Sequence, residues 1–248
     1  MSPLEALAIA GAGLAAGTIN TVVGSGSLIT FPTLLAFGYP AVLANVSNTV
    51  GLVPGSASAV LAYRRELAGQ RRRLLVLGSA SVAGGITGAA LLLVLPHSVF
   101  RRVVPVLILA ACVLVLVQPA LARRLAERPR RPHGGAGLYG SVLATGVYGG
   151  YFGAAQGVIL MGLLGVFLAD DLHRLNATKN VLALVANGVS AVFFVAATHV
   201  AWPAAALVAG GSVVGGQVGG VVGRRLPAAG LRLVIVAVGV TAAAVLLS

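Results

Sequence analysis

The chain has 248 residues, with 17 Lys and Arg against 5 Asp and Glu, a formal net charge of +12. It is 58% hydrophobic and only 9% charged, with a mean hydropathy of +1.00; a soluble domain carries about 25% charged residues, so a water-covered globule is excluded. The basic excess invites a nucleic-acid reading, but the arginines cluster in short breaks between apolar runs with no aromatic-basic surface beside them, the loop pattern of a membrane protein and not a nucleic-acid binder.

In chain order, apolar segments are expected at 4–23, 27–37, 41–62, 74–95 and 103–121, then at 138–153, 158–169, 176–198, 204–222 and 229–247. Lys and Arg are absent before Arg64, so the first segment lacks the basic start of a signal peptide. It also aligns with the internal segment starting near Leu138, and is expected to stay in the mature protein. As a helix, 74–95 would extend about 33 Å, enough for a hydrocarbon core of about 30 Å. Segments 27–37 and 158–169 would reach only about 15–18 Å, and each follows a glycine-rich break. Such segments are expected to be broken or re-entrant helices, which survive at membrane depth only where protein or a cavity covers them. The alternating ten-residue pattern of a membrane barrel is missing.

The second half repeats the first. Asn45, Gly84, Gly85, Gly88 and Pro96 recur 131 positions later as Asn176, Gly215, Gly216, Gly219 and Pro227; upstream the offset is 129, with Gly11, Gly17 and Gly24 answered by Gly140, Gly146 and Gly153. The register changes where Gly24-Ser25-Gly26 meets the longer Gly153-Ala154-Ala155-Gln156-Gly157. The expected fold is an all-α polytopic membrane protein of two homologous repeats, each of four to five apolar segments with one short broken or re-entrant helix. The partition is residues 1–121, a basic cytoplasmic linker at 122–136, and 137–248. Arg positions test the orientation. With loops 63–73 and 122–136 inside and Arg174 left out of both counts, parallel repeats place ten Arg inside and five outside; inverted repeats place thirteen inside and two outside. The positive-inside rule favours inversion.

Polar residues in spanning segments are costly and turn toward the bundle interior. One set is Asn45, Ser47, Asn48, Thr49, Ser56 and Ser58; its repeat mate is Asn176, Thr178, Lys179, Asn180 and Asn187. The breaks add Asn20, Gly24, Ser25 and Gly26 in the first half, and Gln156 and Gly157 in the second. Two equivalent polar helix starts near glycine breaks could surround one central anion, since helix N-termini favour negative charge; hydrogen bonding between helices is the competing role. Lys179, the one lysine, could supply charge to an anion or act as a titratable switch. It could equally snorkel to the interface or pair with Asp170 or Asp171. Those two aspartates, with His173 and Arg174, are expected in a solvated loop. The Gly-Gly-x-x-Gly strings at 84–88 and 215–219 are expected to bring helices close.

Neither a His/acid pair with metal spacing nor a P-loop is present, and Gly11-Ala12-Gly13-x-x-x-Gly17 lacks the strand that a dinucleotide fingerprint needs. Single Cys112 forbids an intrachain disulfide and reads as a small buried hydrophobe. No nucleophile–base pair falls within the spans, so an enzyme is not expected, and no cofactor is implied.

The string from Gly17 to Pro32 (GTINTVVGSGSLITFP), the Ala44–Thr49 string ANVSNT, the Gly-Gly-x-x-Gly third span and the duplication together resemble the sulfite exporter TauE/SafE family of membrane permeases. The resemblance covers nearly the whole chain and implies a multi-pass permease of a bacterial inner or plasma membrane. It also implies a small anionic substrate, sulfur-containing or organic, such as sulfite or a sulfonate. The expected activity is secondary transport in the export direction, by alternating access around a site between the repeats. An anion channel or a non-transporting membrane scaffold is the alternative. Partners are the substrate and the lipid bilayer, and glycine-rich faces permit a homodimer.

Overall fold

The structure is a computed structural model that describes residues 1–126, 135–222 and 228–247. The sequence readings on Arg128, Arg130, Arg131, His133, Arg224, Arg225 and Pro227 lie outside these residues. The described residues form ten α-helices: α1 (Pro3–Val22), α2 (Ser27–Ala36), α3 (Ala41–Ala62), α4 (Arg71–Val94), α5 (His97–Ala126), α6 (Gly135–Tyr151), α7 (Gln156–Phe167), α8 (Leu172–Ala197), α9 (Trp202–Val222) and α10 (Ala228–Leu247). A short 3-10 turn, Arg64–Leu67, links α3 to α4. Every expected apolar segment corresponds to one helix. Among the described residues α1, α4, α8, α9 and Ser98–Val117 of α5 are long and apolar enough to cross a membrane.

Local chemistry sets the helix limits. Ser2 and Glu5 form a reciprocal capping box at the start of α1, with Pro3 in its first turn, satisfying two donors that the helix leaves free. α1 ends where Gly24 takes φ +90°, and α6 ends where Gly153 takes φ +77°; glycine reaches this left-handed conformation without steric cost. Gly24 N donates to Ile19 O and Gly153 N donates to Tyr148 O, so both ends close alike. α8 begins four residues before the expected 176 because the Asp171 carboxylate caps it, accepting from His173 N at 3.3 Å. α5 continues to Ala126, taking the first residues assigned to the linker into helix.

The short helices turn back. Gly26 lies against the Ala16 carbonyl, so α2 returns along α1; Gly137 lies against the Phe167 ring, so α7 returns along α6. Each pair is therefore a hairpin whose tip is a glycine break.

The long helices pack through small residues. Gly13 and Gly17 face Val208 and Ser212, while Gly215 and Gly219 face Leu14 and Thr18, so α1 and α9 run parallel at close range. Gly51 and Gly55 against Val208 and Ser212 make α3 parallel to α9 as well. On the other side Gly84 meets Leu143 and Gly146, and Gly88 meets Val147 and Tyr151, so α4 and α6 run parallel. Without a hydrophobic drive in lipid, such packing depends on backbones approaching closely. A Cβ on Gly88 would lie 2.1 Å from the Val147 carbonyl oxygen, so no larger residue fits there. Large apolar side chains such as Leu75, Val106, Val192 and Val221 are exposed on the outer faces, where a bilayer in place of water makes them favourable.

Candidate substrate site

The two glycine breaks touch. Gly157 N donates to Gly24 O at 3.0 Å. A Cβ on either glycine would come within 2.5 Å of the other's Cα, so this contact exists only because both positions lack side chains. Beside it lies a narrow cavity of about 20 Å³, room for about one water molecule. Its walls come from both hairpins and from α3 and α8: Asn20, Gly24 and Ser27; Gly153, Gln156 and Gly157; Ser56 and Ala59; Lys179, Asn180, Ala183 and Asn187.

Lys179 dominates the electrostatics. It is 1% exposed, and its Nζ donates to Asn20 O at 3.1 Å and to Thr21 O at 3.4 Å, in the last turn of α1. Helix C-termini carry partial negative charge, so the ammonium sits where the α1 dipole favours it. No carboxylate lies within ion-pair distance of Lys179 among the described residues. Asp170 instead binds Arg73 at 2.6 Å and Arg174 at 2.9 Å, and Asp171 caps α8. The lysine thus neither snorkels nor pairs with these acids; Asp171 and His173 are exposed as expected of a solvated loop, while Asp170 is half-buried and ion-paired.

The amides beside the lysine are incompletely paired. Gln156 is 3% exposed and Asn180 is 4% exposed, yet Gln156 Oε1 and Asn180 Nδ2 have no hydrogen-bond partner. An unpaired buried polar atom costs about 1–3 kcal/mol, and each such exception calls for an explanation, a bound ligand or water among them.

Of the residues singled out in the sequence, six line this cavity: Asn20, Gly24, Gln156, Gly157, Lys179 and Asn180. The others surround it as fasteners. Asn45 Nδ2 donates to Tyr151 O and Asn176 Nδ2 donates to Thr21 O, both at 3.1 Å, so equivalent asparagines hold the ends of the opposite hairpin's first helix. Ser47 Oγ accepts from Ala201 N at 2.9 Å, while Thr178 Oγ1 donates to Gln70 Oε1 at 2.8 Å. Asn48 accepts from Thr30 Oγ1 and donates to Ser27 Oγ at 3.2 Å. Thr49 donates to Asn45 O within its own helix, and Gly26 N donates to Asn20 Oδ1. Ser25 is buried beside the break with its hydroxyl unpaired. Ser27 and Gly153 were not among the candidates. Their signal was present, since Gly153 stands 129 positions after Gly24 in the second glycine break and Ser27 is the first residue after the first break. Ser56 and Asn187, noted only as polar span residues, face the cavity from positions 131 residues apart.

Residues 9–246 match the sequence model of the sulfite exporter TauE/SafE family. The chain belongs to this family. The TauE/SafE match runs through both hairpins and all the cavity residues, from α1 to α10. Three curated relatives agree. A "Probable membrane transporter protein" of Haemophilus influenzae is 27% identical over 209 residues, 84% of this chain and 80% of the relative. "Probable membrane transporter protein YfcA" of Escherichia coli K12 is 28% identical over 215 residues, covering 82% of this chain and 75% of the relative. "Probable membrane transporter protein ORF9" of Sinorhizobium sp is 28% identical over 206 residues, with 82% and 77% coverage. No solved structure matches the chain. As a TauE/SafE member it is a multi-pass membrane protein of a transporter family, not an enzyme.

Proposed function

We propose that the chain is a secondary exporter of a small anion, sulfur-containing or organic such as sulfite or a sulfonate, bound at the junction of the two hairpins. The observation that carries this reading is Lys179: a fully buried cation with no carboxylate partner among the described residues, beside two incompletely paired amides, where the two breaks meet. A buried ammonium costs several kcal/mol unless something compensates it, and an anion would do so. Asn180 Nδ2 is a free donor, and a half-turn of the Gln156 amide offers a second.

The same reading makes the halves inverted repeats that exchange access by rocking. Its support is directional. α3 ends at the basic turn where α4 begins, and α9 runs parallel to α3; α9 therefore runs opposite to its repeat mate α4. The packing is also exchangeable between halves, because α1 on α9 is answered by α6 on α4, and α3 on α9 by α8 on α4. The cavity has room for about one water, so the state seen is closed around the site. Opening for an anion means parting Gly24 from Gly157.

The test is flux into liposomes containing the purified chain, with sulfite, sulfoacetate and related anions, with and without an imposed proton gradient. Saturable, counterflow-competent uptake that disappears with Lys179→Met supports the reading. No saturable flux across the panel overturns it, and flux without counterflow replaces the carrier with a channel.

A further inference from the structure

A second, larger pocket of about 560 Å³ opens at the arginine-rich end of the bundle, where α4 and α6 begin. Arg72, Arg73 and Arg174 stand at its rim, and Val76, Leu138 and Tyr139 line its apolar part. Two of these guanidiniums, Arg73 and Arg174, share the Asp170 carboxylate. Arg72 is exposed and has no ion-pair partner among the described residues.

The pocket does not open onto the candidate substrate site. Its floor residues Leu77, Leu138 and Leu168 belong to an apolar cluster with Val142, Leu160 and Leu164. That cluster continues along α8 through Leu175 to Leu182, the neighbour of cavity residue Ala183. A free ion entering the pocket would meet a dry leucine wall. A ligand with both a negative head and an apolar tail matches both surfaces.

We propose that this pocket binds an anionic phospholipid, its phosphate at Arg72 and its upper acyl chain against Val76, Leu138 and Tyr139. By the positive-inside rule the arginine-rich end faces the cytoplasm, where the leaflet is anionic. The site is wired to α8: Gln70 Oε1 accepts from both Arg73 Nη1 and Thr178 Oγ1, at 2.8 Å each.

Native mass spectrometry of the full chain in detergent tests this, with phosphatidylglycerol, phosphatidylcholine and inorganic phosphate as separate probes. Phosphatidylglycerol is retained over phosphatidylcholine, and Arg72→Ala weakens its retention about fivefold, the loss of one basic contact near an anionic lipid. Arg72→Lys largely restores retention, while Arg102→Ala, at the opposite end of the bundle, leaves it unchanged. A thermal melt with each lipid checks that the variants are folded. Equal retention of both lipids, no effect of Arg72→Ala, or displacement of phosphatidylglycerol by inorganic phosphate each overturns the lipid site. None of these outcomes depends on transport at the central cavity.

Discussion

Lys179→Met separates the two roles a buried cation can have. The side chain is 1% exposed and gives two hydrogen bonds, to Asn20 O and Thr21 O, with no carboxylate among the described residues to offset its charge. Methionine keeps the length and apolar stem but removes the ammonium. The fold then gains the several kcal/mol of desolvation that a buried ion costs. It loses two charge-assisted hydrogen bonds of about 1.5–3 kcal/mol each and leaves Asn20 O unpaired, a further cost of about 1–3 kcal/mol. Thr21 O keeps Asn176 as donor. These terms nearly cancel, so the expected change in stability is within about 2 kcal/mol in either direction. Anion binding has no such compensation. Losing one charge-assisted contact of at least about 2 kcal/mol lowers affinity by about thirtyfold or more. Counterflow of labelled anion in liposomes, paired with a thermal melt in detergent, measures both. A variant that melts near the parent and transports at the parent's rate would refute the reasoning, because Lys179 would then be a structural fastener only.

Three further outcomes follow from the geometry. Gly157→Ala places a methyl 2.5 Å from Gly24 Cα, so the hairpin tips must part; a loss of about 1–3 kcal/mol is expected by thermal melt, whereas Gly188→Ala, which meets open space in a helix, is neutral or stabilising. Ala155 holds a left-handed φ of 57°, which costs a residue with a Cβ about 1–2 kcal/mol; because its methyl is fully buried, Ala155→Gly trades that strain against lost packing and is expected to melt within about 1 kcal/mol of the parent, and a loss well beyond this would count against strain at this position. Burial alone would raise the Asp170 pKa, but its hydrogen bond from Arg73, then the Asp171 amide and the charges of both arginines, hold it below the usual carboxylate range. Its stabilisation is thus present above the unfolded carboxylate value of about 4 and is lost as pH falls through the lower folded value; melts of Asp170→Asn between neutral pH and pH 3 should lack this component of the acid loss.

The sequence by itself determined the segments, because the apolar runs are long, the arginines fall between them and the glycine breaks mark both hairpin tips. It also paired positions across the chain, since an offset of 131 carries Ser56 to Asn187 and Asn45 to Asn176. It singled out Lys179 because a lone lysine inside an apolar run is costly in lipid. Tertiary structure decided which polar groups face the cavity. Helical period places Asn176, Asn180 and Asn187 on one face, yet Asn176 is held by the Thr21 carbonyl while Asn180 and Asn187 face the cavity. Asn48 and Lys179, 131 positions apart, have different partners: the neutral amide is held by Thr30 and Ser27 of α2, and the ammonium reaches across to the end of α1. The physical reason is that a polar side chain in a spanning helix takes whichever donor or acceptor its neighbouring helix presents. That neighbour is fixed by glycine-to-backbone approaches between α1 and α9 and between α4 and α6, distances that exist only once the two halves have closed on each other.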